Sequence, residues 1–343
     1  MQAITTIGLD IAKSVFQVHG VDVDGQVAVR RQLKRRYVLA FFQKLPPCLI
    51  GIEACASSHH WSRELQALGH TVRLMPPAYV KPYVKRQKND AADAEAICEA
   101  VTRVNMRFVP TKTLEQQSCL MLHRTRHLFI RQQTSVINVI RAHLAEFGIV
   151  APIGRKGVEE LLDVIADRSD ERVPEIARTC LIALGAQLRS LKTQILEFDR
   201  MIVAWHRSNE TSRRLDAIPG VGPMLATALV ASIADPMAFR SGRNFSAWVG
   251  LVPKQYSSGG KDKLGSISKQ GDRYLRSLFM AGALAVIRYA KINGTKHRPW
   301  LTALLARRPT KVAAIALANK IARMVWAMMA RGEQYKEPVA LAA

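Results

Sequence analysis

Ile4-Thr5-Thr6-Ile7-Gly8-Leu9-Asp10-Ile11 alternates in polarity, is rich in β-branched residues, and reads as a strand ending near Asp10. Working outward from it, Val15 to Val21 reads as a second strand. Asp22-Val23-Asp24-Gly25 is a hairpin turn signal, and Gln26 to Leu33 returns as a third strand carrying Arg30 and Arg31. A helix from about Tyr37 to Leu45 follows. Cys48 to Glu53 is a short strand of buried character that again ends in a carboxylate. Ser57 and Ser58 are placed to cap a helix running to about Leu68, which Gly69 closes, and Thr71 to Met75 is another strand.

The order β-β-β-α-β-α-β-α, three early antiparallel strands and then α/β alternation, is the one expected of a ribonuclease-H-like nuclease fold. Its acids sit where such a fold would use them. Lys88-Asn89-Asp90-Ala91-Ala92-Asp93-Ala94-Glu95 holds two aspartates three apart among good helix formers, so both lie on one helix face. Like charges at that spacing repel, which is poor helix chemistry unless a cation sits between them. Lys81, Lys85, Arg86 and Lys88 form a basic run just upstream. Taken alone the stretch reads as a solvated acidic helix face. Asp10 and Glu53, at strand ends, change that reading. Acids at strand ends and on a packing helix converge on one point, and two-metal phosphoryl transfer needs several hard oxygen ligands close together. Asp10, Glu53, Asp90 and Asp93 are therefore expected to hold divalent metal. His59 and His60 read as polar residues at a helix start.

The whole chain has 343 residues and a formal net charge of +23, with 48% hydrophobic residues. That is a globular composition with room for two or three domains. The charge points to a polyanionic partner, nucleic acid before a membrane surface. No stretch reaches the roughly 18 uncharged apolar residues of a membrane span. Val312 to Ala330 comes nearest and is interrupted by Lys320 and Arg323. Asp10 stands where a signal peptide would need apolar residues. Cys48, Cys55, Cys98, Cys119 and Cys180 show no C-x-x-C spacing and read as reduced thiols.

A long helix is expected from Leu114 to about Phe147, a short one near Val158 to Ala166, and a second long one from about Glu175 to Arg207. In the last, Leu181, Leu184, Leu188, Leu191, Ile195, Phe198, Ile202 and Trp205 recur as a heptad seam. The seam suits both a hairpin with the first long helix and association with another copy. Ile218-Pro219-Gly220-Val221-Gly222-Pro223 before an apolar helix, Met224 to Ile233, is a helix-hairpin-helix signature. Its glycines, Gly220 and Gly222, allow close approach to a phosphate. Pro253-Lys254-Gln255-Tyr256-Ser257-Ser258-Gly259-Gly260-Lys261 reads, by propensity, only as an exposed cationic loop. From Lys254 to Arg331 there are 16 Lys and Arg against two acids, Asp262 and Asp272. Lys254, Lys261, Lys263, Lys269, Arg273 and Arg276 are the candidate nucleic-acid contacts. Helices follow near Asp272 to Ala290, Trp300 to Ala306 and Lys311 to Arg331, and Glu333 to Ala343 reads as a loose tail.

Gly8-Leu9-Asp10-Ile11-Ala12-Lys13, Gly51-Ile52-Glu53-Ala54 and Lys88-Asn89-Asp90-Ala91-Ala92-Asp93-Ala94 resemble the DEDD-type insertion-sequence transposases. So do Ile218-Pro219-Gly220-Val221-Gly222, Gly250-Leu251-Val252-Pro253, Tyr256-Ser257-Ser258-Gly259-Gly260 and Ile267-Ser268-Lys269-Gln270-Gly271-Asp272 with Tyr274-Leu275-Arg276. The resemblance covers nearly the whole chain. It implies a RuvC-like catalytic domain over 1–112, a coiled-coil dimerisation region over 113–207, a mostly helical C-terminal transposase domain over 208–332 and a tail over 333–343. It implies a metal-binding tetrad at Asp10, Glu53, Asp90 and Asp93, with Mg2+ in a two-metal site or Mn2+ in its place. It also implies a nucleophilic serine at Ser258, with Ser257 its neighbouring rival.

The family is that of the bridge-RNA or seek-RNA-guided recombinases. The implied partners are double-stranded donor and target DNA, an element-encoded guide RNA, and further copies of the chain, from dimer to tetramer. The implied location is the bacterial cytoplasm at the nucleoid, with no membrane partner. Ser258 would form a phosphoserine, and the serine of one protomer would meet the acids of another. Two other functions fit the residues. One is a RuvC-like nuclease or Holliday-junction resolvase that uses water, and the other is a non-catalytic nucleic-acid-binding scaffold.

Overall fold

The computed structural model describes residues 4–85, 89–294 and 298–337. Arg86 and Lys88 of the basic run, and residues 338–343 of the tail, lie outside these. The chain divides into two units, Met1–Thr113 with Ile233–Arg240, and Leu114–Ser232 with Ser241–Ala343.

The first unit is built on β1 (Thr6–Ile11), β2 (Val15–Val21), β3 (Val27–Lys34), α1 (Val38–Phe42), β4 (Leu49–Glu53), α2 (Ser58–Ala67), β5 (Thr71–Met75), the single turn α3 (Pro77–Val80) and α4 (Asp90–Val101). Its sheet has the order β3-β2-β1-β4-β5. β1–β2 and β2–β3 are antiparallel, and β1–β4 and β4–β5 are parallel. The β2–β3 hairpin closes because Asp22 Oδ1 accepts from the Asp24 and Gln26 amides at 3.0 and 2.9 Å, while Gly25 takes φ 77°.

Strand alternation then sorts the two faces. Ile7, Leu9, Ile50 and Ile52 bury with Phe42, Trp61 and Leu65 in one core. Gly8 and Gly51 point the other way, under α4. There Ile97, Ala100 and Val101 of α4 pack with Met75 and Val80. Each large apolar side chain buried this way contributes about 1.5–3 kcal/mol. The expected serine cap of α2 is not formed. Ser57 makes no capping bond, and Ser58 Oγ donates instead to the Cys55 carbonyl at 2.9 Å, because Ser57 has a helical backbone that aims its hydroxyl away from the free amides.

The second unit contains α5 (Leu114–Ala145), α6 (Arg155–Ala166), α7 (Glu175–Ser208), α8 (Glu210–Asp216), α9 (Pro223–Ser232), α10 (Gly242–Val249), a hairpin of β6 (Pro253–Gln255) and β7 (Leu264–Ile267), α11 (Arg273–Asn293), α12 (Pro299–Arg307) and α13 (Thr310–Arg331). The α7 seam is engaged within the chain, where Leu181, Leu188 and Leu191 are buried with Val136, Ile140 and Leu144 of α5. Arg126 Nε meets Asp199 Oδ1 at 2.5 Å across the same pair. Arg178, buried on α7, donates to the carbonyls of Val164, Ile165, Asp167 and Asp170, so it satisfies the open C-terminal end of α6.

α13 is long and apolar enough to cross a membrane by length and composition, even with Lys320 and Arg323 in it. Its apolar face, including Leu317, Ile321, Val325 and Met328, is buried in the unit's own core. The described start of the tail, up to Glu337, makes side-chain contacts. Arg298 Nη2 meets Glu337 Oε1 at 2.9 Å, and the Tyr335 hydroxyl donates to Glu337 Oε2 at 2.8 Å. All five cysteines are unpaired thiols.

Candidate functional site

Asp10 and Glu53 occupy matching positions at the C-terminal ends of two parallel neighbours. The register pairs Leu9 with Ile52, and each acid is one residue further along. Each also lies two residues beyond a glycine that faces α4. A Cβ on Gly8 would run into the Ala94 carbonyl oxygen and lie 2.8 Å from Cys98 Cβ. A Cβ on Gly51 would stand 2.8 Å from Val101 Cβ and 3.1 Å from the Ile97 oxygen. Because i and i+2 share a strand face, Asp10 and Glu53 project on the α4 side.

The helix direction completes the arrangement. Cys98 Sγ reaches the Thr6 carbonyl at 3.8 Å and Ala94 lies against Gly8, so α4 runs opposite to β1. Its first turn, with Asp90 and Asp93, therefore comes over the strand ends that carry Asp10 and Glu53.

The i, i+3 aspartate pair has support within the helix itself. Asn89 caps α4 by accepting from the Ala92 amide at 2.8 Å, and both aspartates fall in the first turn, where the helix dipole favours negative charge. Of the basic run, Lys85 is committed to Glu95, at 3.1 Å, with Arg30 on the same carboxylate at 3.4 Å. The Lys85 hydrogen bond is the main reason that Glu95 is held below the ordinary carboxylate range.

Four carboxylates are the hard donor set that a divalent cation takes, and their shared face and sheet end fit one. The side chains are not closed around a point. Among the described residues, no three His, Cys, Asp or Glu side chains are close enough to hold a metal ion. The imidazole of His59 accepts from the Lys112 amide at 3.2 Å, Ser62 Oγ meets Thr111 Oγ1 at 2.7 Å, and Arg63 donates to the Lys112 carbonyl at 2.6 Å. The α2 side chains thus anchor the chain's exit from the sheet.

The serine loop is a hairpin that propensity alone did not reveal. Ser257 and Ser258 lie beyond β6, near its turn, and both are exposed. Their hydroxyls differ. Ser257 Oγ donates to Asp262 Oδ1 at 2.9 Å and accepts from Gln255 Nε2 at 3.0 Å. Ser258 is held only through its backbone, its carbonyl accepting from the Lys261 amide at 3.1 Å, and among the described residues its hydroxyl has no hydrogen-bond partner. Gly259 and Gly260, at φ 55° and 75°, make the turn.

The base of this hairpin is locked. The Ser268 amide donates to the Val252 carbonyl and the Lys269 amide to Gly250, with Lys269 itself at φ 54°. Arg276 Nη1 donates to the carbonyls of Val249 and Gln270 at 3.0 and 3.2 Å, which commits it to the hairpin base. Lys254, Lys261, Lys263, Lys269 and Arg273 are exposed.

α8 and α9 are joined by the turn at Ile218–Gly222. Gly220, at φ 93°, is packed on α11, since a Cβ there would stand 3.0 Å from the Gly282 oxygen, whereas Gly222 faces open space. Beneath α9, His123 of α5 is fully enclosed. Thr227 Oγ1 donates to the Pro223 carbonyl at 2.7 Å and so accepts from His123 Nε2 at 2.9 Å, leaving Nδ1 to accept from the Tyr274 hydroxyl at 3.0 Å. Burial pushes His123 down to about 4 and Tyr274 up to about 12.

Two family profiles match the chain. A DEDD transposase profile of the IS110 type covers residues 7–149, and a profile described as "Transposase IS116/IS110/IS902 family" covers residues 212–298. A "Probable family 20 transposase" of Pseudomonas aeruginosa is 48% identical over 97% of this chain and 99% of its own. The transposase for insertion sequence element IS1111A of Coxiella burnetii is 39% identical, over 98% and 92%. The transposase for IS1328 of Yersinia enterocolitica is 36% identical, over 98% and 100%. On these matches, the chain belongs to the IS116/IS110/IS902 family of insertion-sequence transposases.

Proposed function

We propose that this transposase is an RNA-guided DNA recombinase that cleaves and rejoins strands through a phosphoserine on Ser258. The observation that carries the reading is the contrast within the serine pair. Ser257 is tied to Asp262 and Gln255, while Ser258, one residue nearer the turn and near exposed lysines, presents a hydroxyl that has no hydrogen-bond partner among the described residues.

In the proposed step Ser258 Oγ forms a bond to phosphorus as the phosphorus–sugar oxygen bond breaks. The serine hydroxyl loses its proton and the departing sugar oxygen gains one. The number of phosphate ester bonds is unchanged, so reversal rejoins a strand without ATP. Lys254, Lys261 and Lys263 draw the phosphate to the hairpin, and Lys269 and Arg273 extend the cationic surface. Gly222, with open space at its α-carbon, is the phosphate-facing glycine of a helix-hairpin-helix turn, while Gly220 fits that turn to α11.

In the RuvC-like, ribonuclease-H-like domain, Asp10, Glu53, Asp90 and Asp93 would hold Mg2+, or Mn2+ in its place. When bound, such an ion supplies charge neutralisation at the scissile phosphate. The DNA partners are the donor and target duplexes, and an element-encoded guide RNA selects them. The heptad helix extends assembly from the internal hairpin to dimers or tetramers, so that acids and serine of different protomers act on one phosphate.

The test is incubation with labelled donor DNA and the RNA that copurifies with the protein, followed by denaturing electrophoresis. A protein–DNA adduct lost in Ser258→Ala supports the reading. Cleavage without an adduct assigns the chain to the hydrolytic nucleases, and no metal-dependent cutting at all leaves a binding scaffold.

A further inference from the structure

Outside the hairpin and the acidic sheet end, the second unit carries a groove of about 670 Å3 between α10, α12 and α13. Such a volume is in the range of clefts that enclose a small ligand. Its making follows from the pattern of α13. Leu317, Ile321 and Val325 turn into the core. Ala316, Lys320, Arg323 and Ala327, at spacings of four, three and four, fall on one other stripe and line the groove. The two alanines leave the floor open. Gly242 lets α10 lie against this stripe, since a Cβ there would stand 3.1 Å from the Arg323 α-carbon and carbonyl oxygen. That close approach puts Arg243 beside Arg323.

The lining has one chemical character. Arg243, Lys320 and Arg323 are exposed cations, no carboxylate lines the groove, and among the described residues none of the three meets an acid. Two indoles, Trp300 and Trp326, share the space, and Lys320 Nζ lies 4.9 Å from the Trp300 ring centroid. An exposed cation–π contact is weak. Lys320 is therefore held near the indole but is readily surrendered to a phosphate.

We infer that this groove binds an unpaired stretch of DNA, with a base stacked on Trp300 or Trp326 and the flanking phosphates on Arg243, Lys320 and Arg323. Cations alone would suit any phosphate backbone. Indoles can stack only on a base whose faces are uncovered, and in a duplex neighbouring bases cover both faces. DNA is the nucleic acid on which a transposase acts, and strand cleavage and exchange necessarily leave stretches of it unpaired. The site is separate from the Ser258 hairpin and does not depend on the phosphoserine.

The experiment is binding of the full-length protein to a short labelled oligothymidylate, to a duplex of the same length and to oligouridylate, read by anisotropy and tryptophan quenching. The expected result is preference for oligothymidylate with quenching. Trp300→Ala or Trp326→Ala should weaken it about tenfold while leaving duplex binding alone. Arg243→Gln and Arg323→Gln should each lower the salt slope by about one counterion. Trp248→Phe, an exposed indole of α10 that does not line the groove, should change nothing. If Trp326→Ala melts early, Trp300, exposed on α12, carries the test alone. Unchanged affinity in the well-folded Trp300 variant overturns the inference, and so does equal or tighter binding of oligouridylate through the same residues. Because the assay involves no cleavage, loss of the covalent adduct leaves it unaffected, and a failed groove leaves the adduct unaffected.

Discussion

Gly8 of β1 and Ala94 of α4 lie in such close contact that a single methyl group on Gly8 would overlap the Ala94 carbonyl oxygen. The obstacle is helix backbone, which cannot rotate aside. This contact seats α4 directly on β1, the strand that carries Asp10. Gly8→Ala is therefore expected to destabilise the first unit by about 1–3 kcal/mol, as overpacking typically does, and to suppress DNA cleavage. A thermal melt with an activity assay checks it, and a variant that melts and cleaves like the parent would refute the packing.

Asp10→Ala and Asp93→Ala are expected to abolish strand cleavage. Partly exposed carboxylates contribute little to folding, so the melting temperature should stay close to that of the parent. Wild-type cleavage by Asp93→Ala would remove the metal-holding role from α4.

Ser258→Ala is expected to abolish the covalent adduct, a loss well beyond the roughly 10²–10³-fold typical of one stabilising hydrogen bond. Ser257→Ala and Asp262→Asn remove only the bond that stiffens the hairpin, so they should slow adduct formation without preventing it. The measurement is protein joined to labelled DNA on a denaturing gel. An adduct from Ser258→Ala and none from Ser257→Ala would move the nucleophile by one residue.

Leu188 is buried between α5 and α7, so Leu188→Asp should unfold that pair, whatever the assembly state. The residues that test association are Ile182 and Leu196, fourteen apart on α7 and exposed by 44% and 50%. Ile182→Asp with Leu196→Asp should shrink the particle seen by light scattering while the melt is kept. An unchanged mass would confine the seam to the internal hairpin.

His123 is held neutral, at about 4 against an ordinary 6.5. Below pH 6.5 the unfolded chain takes up a proton that the folded chain refuses. The stabilisation is thus full above pH 6.5 and is lost progressively as pH falls towards 4, by a total of about 3 kcal/mol. Urea unfolding across that range should show a shallower pH dependence in His123→Gln than in the parent. Identical slopes would mean that the imidazole titrates freely.

Alternation, turn residues and helical spacing are local properties. The succession of strands and helices along the first unit, the carboxylates at two strand ends and on a helix, and the heptad stripe of α7 were accordingly legible from the amino-acid order. So was the cationic excess after Lys254, because charge needs no fold to be counted. What lay beyond reach depends on which residues meet across long separations. Asn89 caps α4 and places both aspartates in its first turn, where the helix dipole offsets part of the Asp90–Asp93 repulsion. Only the folded hairpin separates Ser257, bound to Asp262, from Ser258. Arg276 looks like its basic neighbours in sequence, yet tertiary structure commits it to two backbone carbonyls. Trp300 and Lys320 share a groove for the same reason. A period along the chain specifies a face, and only packing specifies what that face meets.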